Sequence, residues 1–221
     1  MGGRPSHGRY VAAVARILLV RHGESTWNAA GRWQGQADPP LSDLGRSQAR
    51  SAAGTLGALA GIASSDLRRA HETADIMATT LGAGPVVVEP RLRERDAGAF
   101  SGLTREEIHR DLPGLLPDDP CRTGGGELLP PAGWEPDEAL QARALAGLGA
   151  LGQRWAGQGD SMVITHSGLI YALETLLGAE RSRIANLEGR WFEVDGDRLT
   201  LGDRVLLLDP AHDRVTSPDQ L

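Results

Sequence analysis

Arg16-Ile17-Leu18-Leu19-Val20-Arg21-His22-Gly23 sets the reading of this chain. Arg16 to Val20 is a short aliphatic run with β-branched Ile17 and Val20, and Arg21-His22-Gly23 breaks it. That pattern predicts a buried strand opening onto a loop. A strand ending this way delivers a guanidinium fork, an imidazole and a backbone without a Cβ to one place. In an open α/β sheet, the segments just past the carboxyl ends of strands line the site.

Working outward, residues 28–41 are rich in Gly, Asn, Asp and Pro and read as a loop. Ser42 then caps a helix to about Leu59, with Leu44, Ala52, Leu56 and Leu59 at helical spacing. Ile62-Ala63-Ser64 reads as a second strand. Ser65 or Asp66 caps the helix that carries Ala70, Ala74, Met77 and Leu81, which Gly82 and Gly84 end. Val86-Val87-Val88 is a third strand. A helix over Asp137–Trp155, a strand Met162–Thr165, a helix from Ser167 to about Leu177 and two late strands near Arg190–Val194 and Val205–Leu208 complete the pattern. The alternation predicts an α/β fold, a three-layer α/β/α sandwich with a central, mostly parallel sheet. Residues 90–136 break the rhythm with proline, Gly124-Gly125-Gly126 and one short helix near Thr104–Asp111. They read as an inserted irregular and helical lid region. Residues 15–209 form one domain, between a flexible leader over 1–14 and a tail over 210–221 expected to fray.

The chain has 221 residues, a net charge of −6, one cysteine and no lysine, so all 23 basic residues are arginine. Without lysine there is no Walker-type phosphate loop, no Schiff base and no serine–lysine dyad. The acidic balance argues against nucleic acid as a partner. No apolar run approaches the roughly 20 residues of a membrane span, and no long apolar segment follows Arg4, His7 and Arg9 to make a signal peptide. Cys121, without a partner for an internal disulfide, fits a reducing compartment. The expectation is a cytoplasmic protein without membrane partners, a homodimer being left open.

Two predicted strand ends carry histidine, His22 and His166, and each is followed within two residues by glycine. A third, Ser64-Ser65, leads into Asp66-Leu67-Arg68-Arg69. Arginine's planar fork suits phosphate oxygens. A neutral imidazole can attack phosphorus and carry the phosphoryl group, while arginines stabilise the charge on the transferring group. Glu94, in Arg91-Leu92-Arg93-Glu94, is a candidate acid for the departing alkoxide. The rival is a metal on His22, Glu24, His71 and His166. No two of these stand at the i, i+4 spacing of a helical pair, and nearby arginines repel a cation. The glycine run at 124–126 follows no clear strand and opens no helix, so a dinucleotide loop is not indicated.

Leu18 to Asn28 closely resembles the signature of the histidine phosphatase superfamily, the phosphoglycerate mutase-like fold. The blocks Gly31-Arg32-Trp33-Gln34-Gly35, Asp38-Pro39-Pro40-Leu41-Ser42, Leu44-Gly45-Arg46, Ser64 to Ala70 with Thr73-Ala74, Leu92-Arg93-Glu94 with Gly98 and Gly102, and Val163 to Gly168 continue the resemblance in order. It implies that His22 is the phosphorylated nucleophile, with Arg21, Arg69 and His166 in the phosphate pocket and Asn28 adding a hydrogen bond. Glu94 is the implied proton donor and then the base for water. No metal and no cofactor are implied, and the partner is a small phosphomonoester.

The superfamily holds phosphatases and mutases. Cofactor-dependent mutases use a lysine and an adjacent arginine pair in a longer insertion; this chain has no lysine, and residues 90–136 contain no adjacent Arg-Arg. Gln34 also fits the phosphatase branch. The runner-up readings are a phosphoglycerate mutase and a non-catalytic phosphate-ligand sensor, the latter disfavoured because binding alone needs no Glu94. The chain departs from the family at Gly133-Trp134-Glu135-Pro136, where many members have Gly-Gly-Glu-Ser and Arg143 follows in register. It departs again at Ser167, usually glycine, and at Ser101. Gln34, Ser167 and Trp134 are therefore candidate substrate contacts. Leu103-Thr104 and Pro113-Gly114 are similar to actinobacterial glucosyl-3-phosphoglycerate phosphatases, which makes that sugar phosphate one candidate substrate.

Overall fold

The computed structural model describes residues 14–116, 130–180, 182–211 and 213–216. Residues 1–13 of the leader, Cys121, the glycine run at 124–126 and the last residues of the tail lie outside them. Six strands form one sheet in the order β3-β2-β4-β1-β5-β6. They are β1 (Ala15–Arg21), β2 (Gly61–Ser64), β3 (Val87–Val88), β4 (Asp160–Thr165), β5 (Glu188–Asp195) and β6 (Arg198–Leu206). The first four are parallel, and β5 and β6 add an antiparallel edge. The helices are α1 (Thr26–Ala29), α2 (Asp43–Ala53), α3 (Arg68–Leu81), α4 (Arg105–Asp111), α5 (Asp137–Trp155) and α6 (Ser167–Leu176).

β1 is buried on both faces, so its aliphatic run is continuous. Alternation by two then sorts its side chains. Ile17 and Leu19 join Leu140, Ala144, Leu148, Leu151 and Trp155 of α5 on one face of the sheet. Leu18 and Val20 join Ala49 and Ala52 of α2 and Ala70, Ala74 and Met77 of α3 on the other. The three-layer sandwich follows from that split. A third cluster of Trp33, Phe100, Ile108 and Leu116 fills the insertion. Among the described residues no helix is long and apolar enough to cross a membrane.

Several elements differ from the sequence expectation. α2 ends at Ala53, not near Leu59; its C-cap Gly54 still has right-handed helical dihedrals, and the chain turns over residues 54–55. Leu56 and Leu59 still pack on the core from the loop, so burial does not require helix. β6 begins at Arg198, ahead of its apolar run. An edge strand with one solvent face alternates polar and apolar residues, and a search for continuous hydrophobicity misses its start. Neither Ser65 nor Asp66 caps α3. Its N-cap is Leu67, with no side-chain bond, and the Arg68 N–H donates instead to Asp38 Oδ1 at 2.6 Å. Asp66 is taken up by a fork-to-carboxylate pair with Arg93. The expected frayed tail is tied down over 213–216: Ser51 Oγ donates to Asp213 at 2.6 Å, and Gln48 Nε2 donates to Arg214 O and Thr216 Oγ1 at 2.9 and 2.7 Å.

Candidate active site

The register of β1 on β4 pairs Val20 with Ile164 and Arg21 with Thr165. The next residue on each strand is therefore a histidine at the same level. The His22 and His166 rings lie edge to face with centroids 5.2 Å apart, both buried. α3 starts beside them and sends in Arg69, 1% exposed. Gly23 permits the chain to leave β1 at this point. A Cβ there would stand 2.6 Å from the Gly45 carbonyl oxygen, where α2 crosses backbone to backbone.

The His22 tautomer follows from its contacts. Nδ1 lies 2.7 Å from the Gly23 carbonyl oxygen, an acceptor only, so Nδ1 carries the proton. Nε2 then holds the ring's lone pair, which accepts the Arg69 Nε–H at 3.1 Å, and attack requires that N–H to turn from the ring to an incoming oxygen. Burial, then the charges of Arg69 and Arg21, hold the imidazole well below its ordinary proton affinity. A neutral ring with its lone pair on Nε2 is the form that nucleophilic attack requires. The same causes, burial first, keep His166 neutral. Its Nε2 lies 2.7 Å from Ser65 Oγ, while its Nδ1 has no hydrogen-bond partner among the described residues.

Both pocket arginines are anchored by carbonyls. Arg69 Nη1 and Nη2 donate to Ala37 O and Gly35 O at 2.8 and 2.9 Å, and burial brings its pKa down to about 10. Arg21 Nη1 donates to Ile184 O at 2.7 Å, and its buried Nε has no partner among the described residues. Asn186 Nδ2 donates to the His22 carbonyl at 2.7 Å. Glu94 is near enough to Arg21 and Arg69 for its charge to favour their protonated forms. Its two oxygens accept the N–H groups of Arg95 and Gly168 at 2.7 and 3.0 Å. A Cβ at position 168 would sit 2.4 Å from Glu94 Oε1 and push that carboxylate aside.

Asn28 caps α1 reciprocally with Ser25, and Ser25 Oγ donates to Gln34 Oε1 at 2.7 Å. These three buried residues form one wall segment. Ser167 is the first residue of α6, directly after His166. Trp134 packs with Trp33 and Phe100 at centroid distances of 6.1 and 6.0 Å, within the cluster that fills the insertion. The candidate metal set does not assemble: Glu24 accepts from Ser42 Oγ at 2.8 Å and His71 faces Ser64 and Asp75. Sequence reasoning missed Ser65, Asn186 and Ile184 as supports of the pocket. Their partners are distant in the chain, and no local pattern marks them.

Several known proteins are similar to this chain. A glucosyl-3-phosphoglycerate phosphatase of Mycobacterium tuberculosis is 38% identical over 173 residues, covering 73% of this chain and 74% of its own. A metal-independent phosphoserine phosphatase of Arabidopsis thaliana is 36% identical over 163 residues, covering 72% and 67%. The solved mycobacterial glucosyl-3-phosphoglycerate phosphatase, in complex with VO3, superimposes with a TM-score of 0.70 at 33% identity over 85% of this chain and 97% of that one. Chains with phosphoglycerate mutase names are similar as well. The profile of the histidine phosphatase superfamily, branch 1, matches residues 17–200. With the two histidines paired at adjacent strand ends and that match spanning the sheet, the chain belongs to the histidine phosphatase superfamily.

Proposed function

We propose that this phosphomonoester hydrolase works without a metal, through a phosphohistidine on His22. The observation that carries the reading is the grouping of one nucleophilic lone pair with two unused buried donors. His22 Nε2 holds the lone pair. If Ser65 Oγ donates to His166 Nε2, then His166 Nδ1–H is a donor, and Arg21 Nε–H is the second. Buried donors without acceptors are costly in a native protein, and a phosphoryl group supplies oxygens to both.

In the first step the His22 Nε2 lone pair forms a bond to phosphorus and the P–O bond to the leaving group breaks. Arg21, Arg69 and His166 balance charge on the transferring oxygens, with Asn28 beside them. Glu94 gives its proton to the departing alkoxide. Water then enters, Glu94 takes its proton, a P–O bond forms, and the P–N electrons return to His22. Gln34 and Ser167 are proposed to contact the substrate beyond its phosphate. Trp134 supports the Gln34 wall through Trp33.

The absence of lysine and of an adjacent arginine pair in residues 90–136 favours hydrolysis over mutase chemistry. The similar proteins named above put glucosyl-3-phosphoglycerate first and phosphoserine second among substrates to try. Hydrolysis of an aryl phosphate in excess chelator, followed by acid-labile labelling from a radioactive phosphoryl donor, tests the mechanism. Activity in chelator and a label lost in His22→Ala are expected. Turnover that survives His22→Ala sinks the reading. Among phosphomonoesters, a rate on a phosphoglycerate-type ester well above that on phosphoserine supports the first substrate.

A further inference from the structure

Arg143 stands on α5, its charge one of those acting on His166, and all five of its N–H groups meet acceptors on other residues. Nη1 donates to Arg91 O and Arg93 O at 2.8 and 2.6 Å, and Nη2 to Glu94 O and Glu135 Oε2 at 2.8 and 2.7 Å. Nε completes the fork on Glu135 Oε1 at 2.7 Å. A guanidinium offers five donors in a rigid plane, so none is left over. Three of the acceptors are carbonyls within the four-residue stretch 91–94, which enters from a 3-10 turn at Pro90–Leu92 and leaves as irregular chain. This stretch has no ladder of its own to hold it. Its carbonyls are also met by Thr165 Oγ1, on Leu92 O at 2.8 Å, and by Gln36 Nε2, on Glu94 O at 3.2 Å. Glu135, whose side chain is 14% exposed against 20% for Arg143, fixes the fork from behind.

The geometry points to Arg143 as the positioning residue for Glu94, locking the backbone of the acid loop so that the carboxyl group meets the leaving oxygen. The inference rests on the reading of Glu94 as acid and base. Arg143 itself touches neither phosphate nor nucleophile. A misplacement of about 1 Å at a reacting group can cost on the order of 100-fold in rate, and three lost carbonyl bonds release the segment that sets that distance. Lysine, a point charge with a flexible stem, cannot span the same set.

The test compares kcat on an alkyl phosphate, whose alkoxide needs a proton, with kcat on an aryl phosphate, whose phenolate leaves without one. Misfolded enzyme lowers both rates alike and cancels in the ratio. Arg143→Met is expected to reduce the alkyl-to-aryl ratio by about tenfold or more, with Arg143→Lys reducing it in the same direction. Glu94→Gln reduces it as well, and the Arg143→Met/Glu94→Gln double variant is expected to match Glu94→Gln alone. Equal losses on both esters in the Arg143 variants, or multiplicative losses in the double variant, overturn the positioning role. A Glu94→Gln enzyme with an unchanged ratio overturns the acid reading itself, and this inference with it.

Discussion

At the scale of single residues, the site depends on keeping two imidazoles neutral inside the protein. Burial and the Arg69 charge act on both rings in the same direction, so the folded chain resists protons that the unfolded chain accepts below pH 6.5. Stability therefore falls as pH drops through that value, with a slope of about 1.4 kcal/mol per pH unit for each histidine until the folded ring protonates. Urea unfolding between pH 7.5 and 5 is expected to show this slope, and His166→Gln to make it shallower. An identical slope in the variant would show that other groups set the acid limb. The residues proposed to be catalytic were legible in sequence because His22, Arg69, Glu94 and His166 each lie in a local motif. Ser65 was legible only as a residue: its position suggested a helix cap, and its hydroxyl lies instead against His166 Nε2.

At the scale of elements, α3 shows how the loop chemistry is tied to the pocket. The helix carries Arg69 as its second residue, but its own N-cap makes no side-chain hydrogen bond. Asp38, 30 residues earlier, accepts the Arg68 N–H and also favours the charged form of Arg69. Asp38→Ala is expected to cost about 1 kcal/mol, seen as a lower denaturant midpoint at constant m, with a rise in KM as Arg69 loosens. Asp38→Asn keeps an acceptor and is expected to recover most of the loss. Equal midpoints for Asp38→Ala and the parent would rule out this cap. Strand and helix existence was readable from periodicity, since β1 and α5 have strong apolar patterns. Helix ends and the start of β6 were not, because they depend on what the surrounding sheet leaves exposed.

At the scale of the whole molecule, the C-terminal stretch closes a circuit around the nucleophile. Gln48 on α2 accepts the Glu24 N–H at 2.9 Å and donates to Arg214 O and Thr216 Oγ1. Thr216 O in turn accepts the Asn186 N–H at 2.9 Å, and the Asn186 side chain holds the His22 carbonyl. Gln48→Leu leaves the buried Glu24 N–H unpaired at a cost of about 1–3 kcal/mol, and faster amide exchange at Asn186 is expected. A parent-like unfolding curve and exchange rate would refute the circuit. Sequence alone determined the sheet's central strand, the helices that sandwich it and the residue types proposed to bind phosphate, because these are set by short-range periodicity and by chemistry carried within single motifs. Tertiary structure alone decided the His22 tautomer, the unpartnered Arg21 Nε and His166 Nδ1 among the described residues, and the Arg143 clamp on the Glu94 loop. Each depends on a backbone carbonyl or hydroxyl supplied from elsewhere in the chain, and only the folded register brings those partners within hydrogen-bond distance.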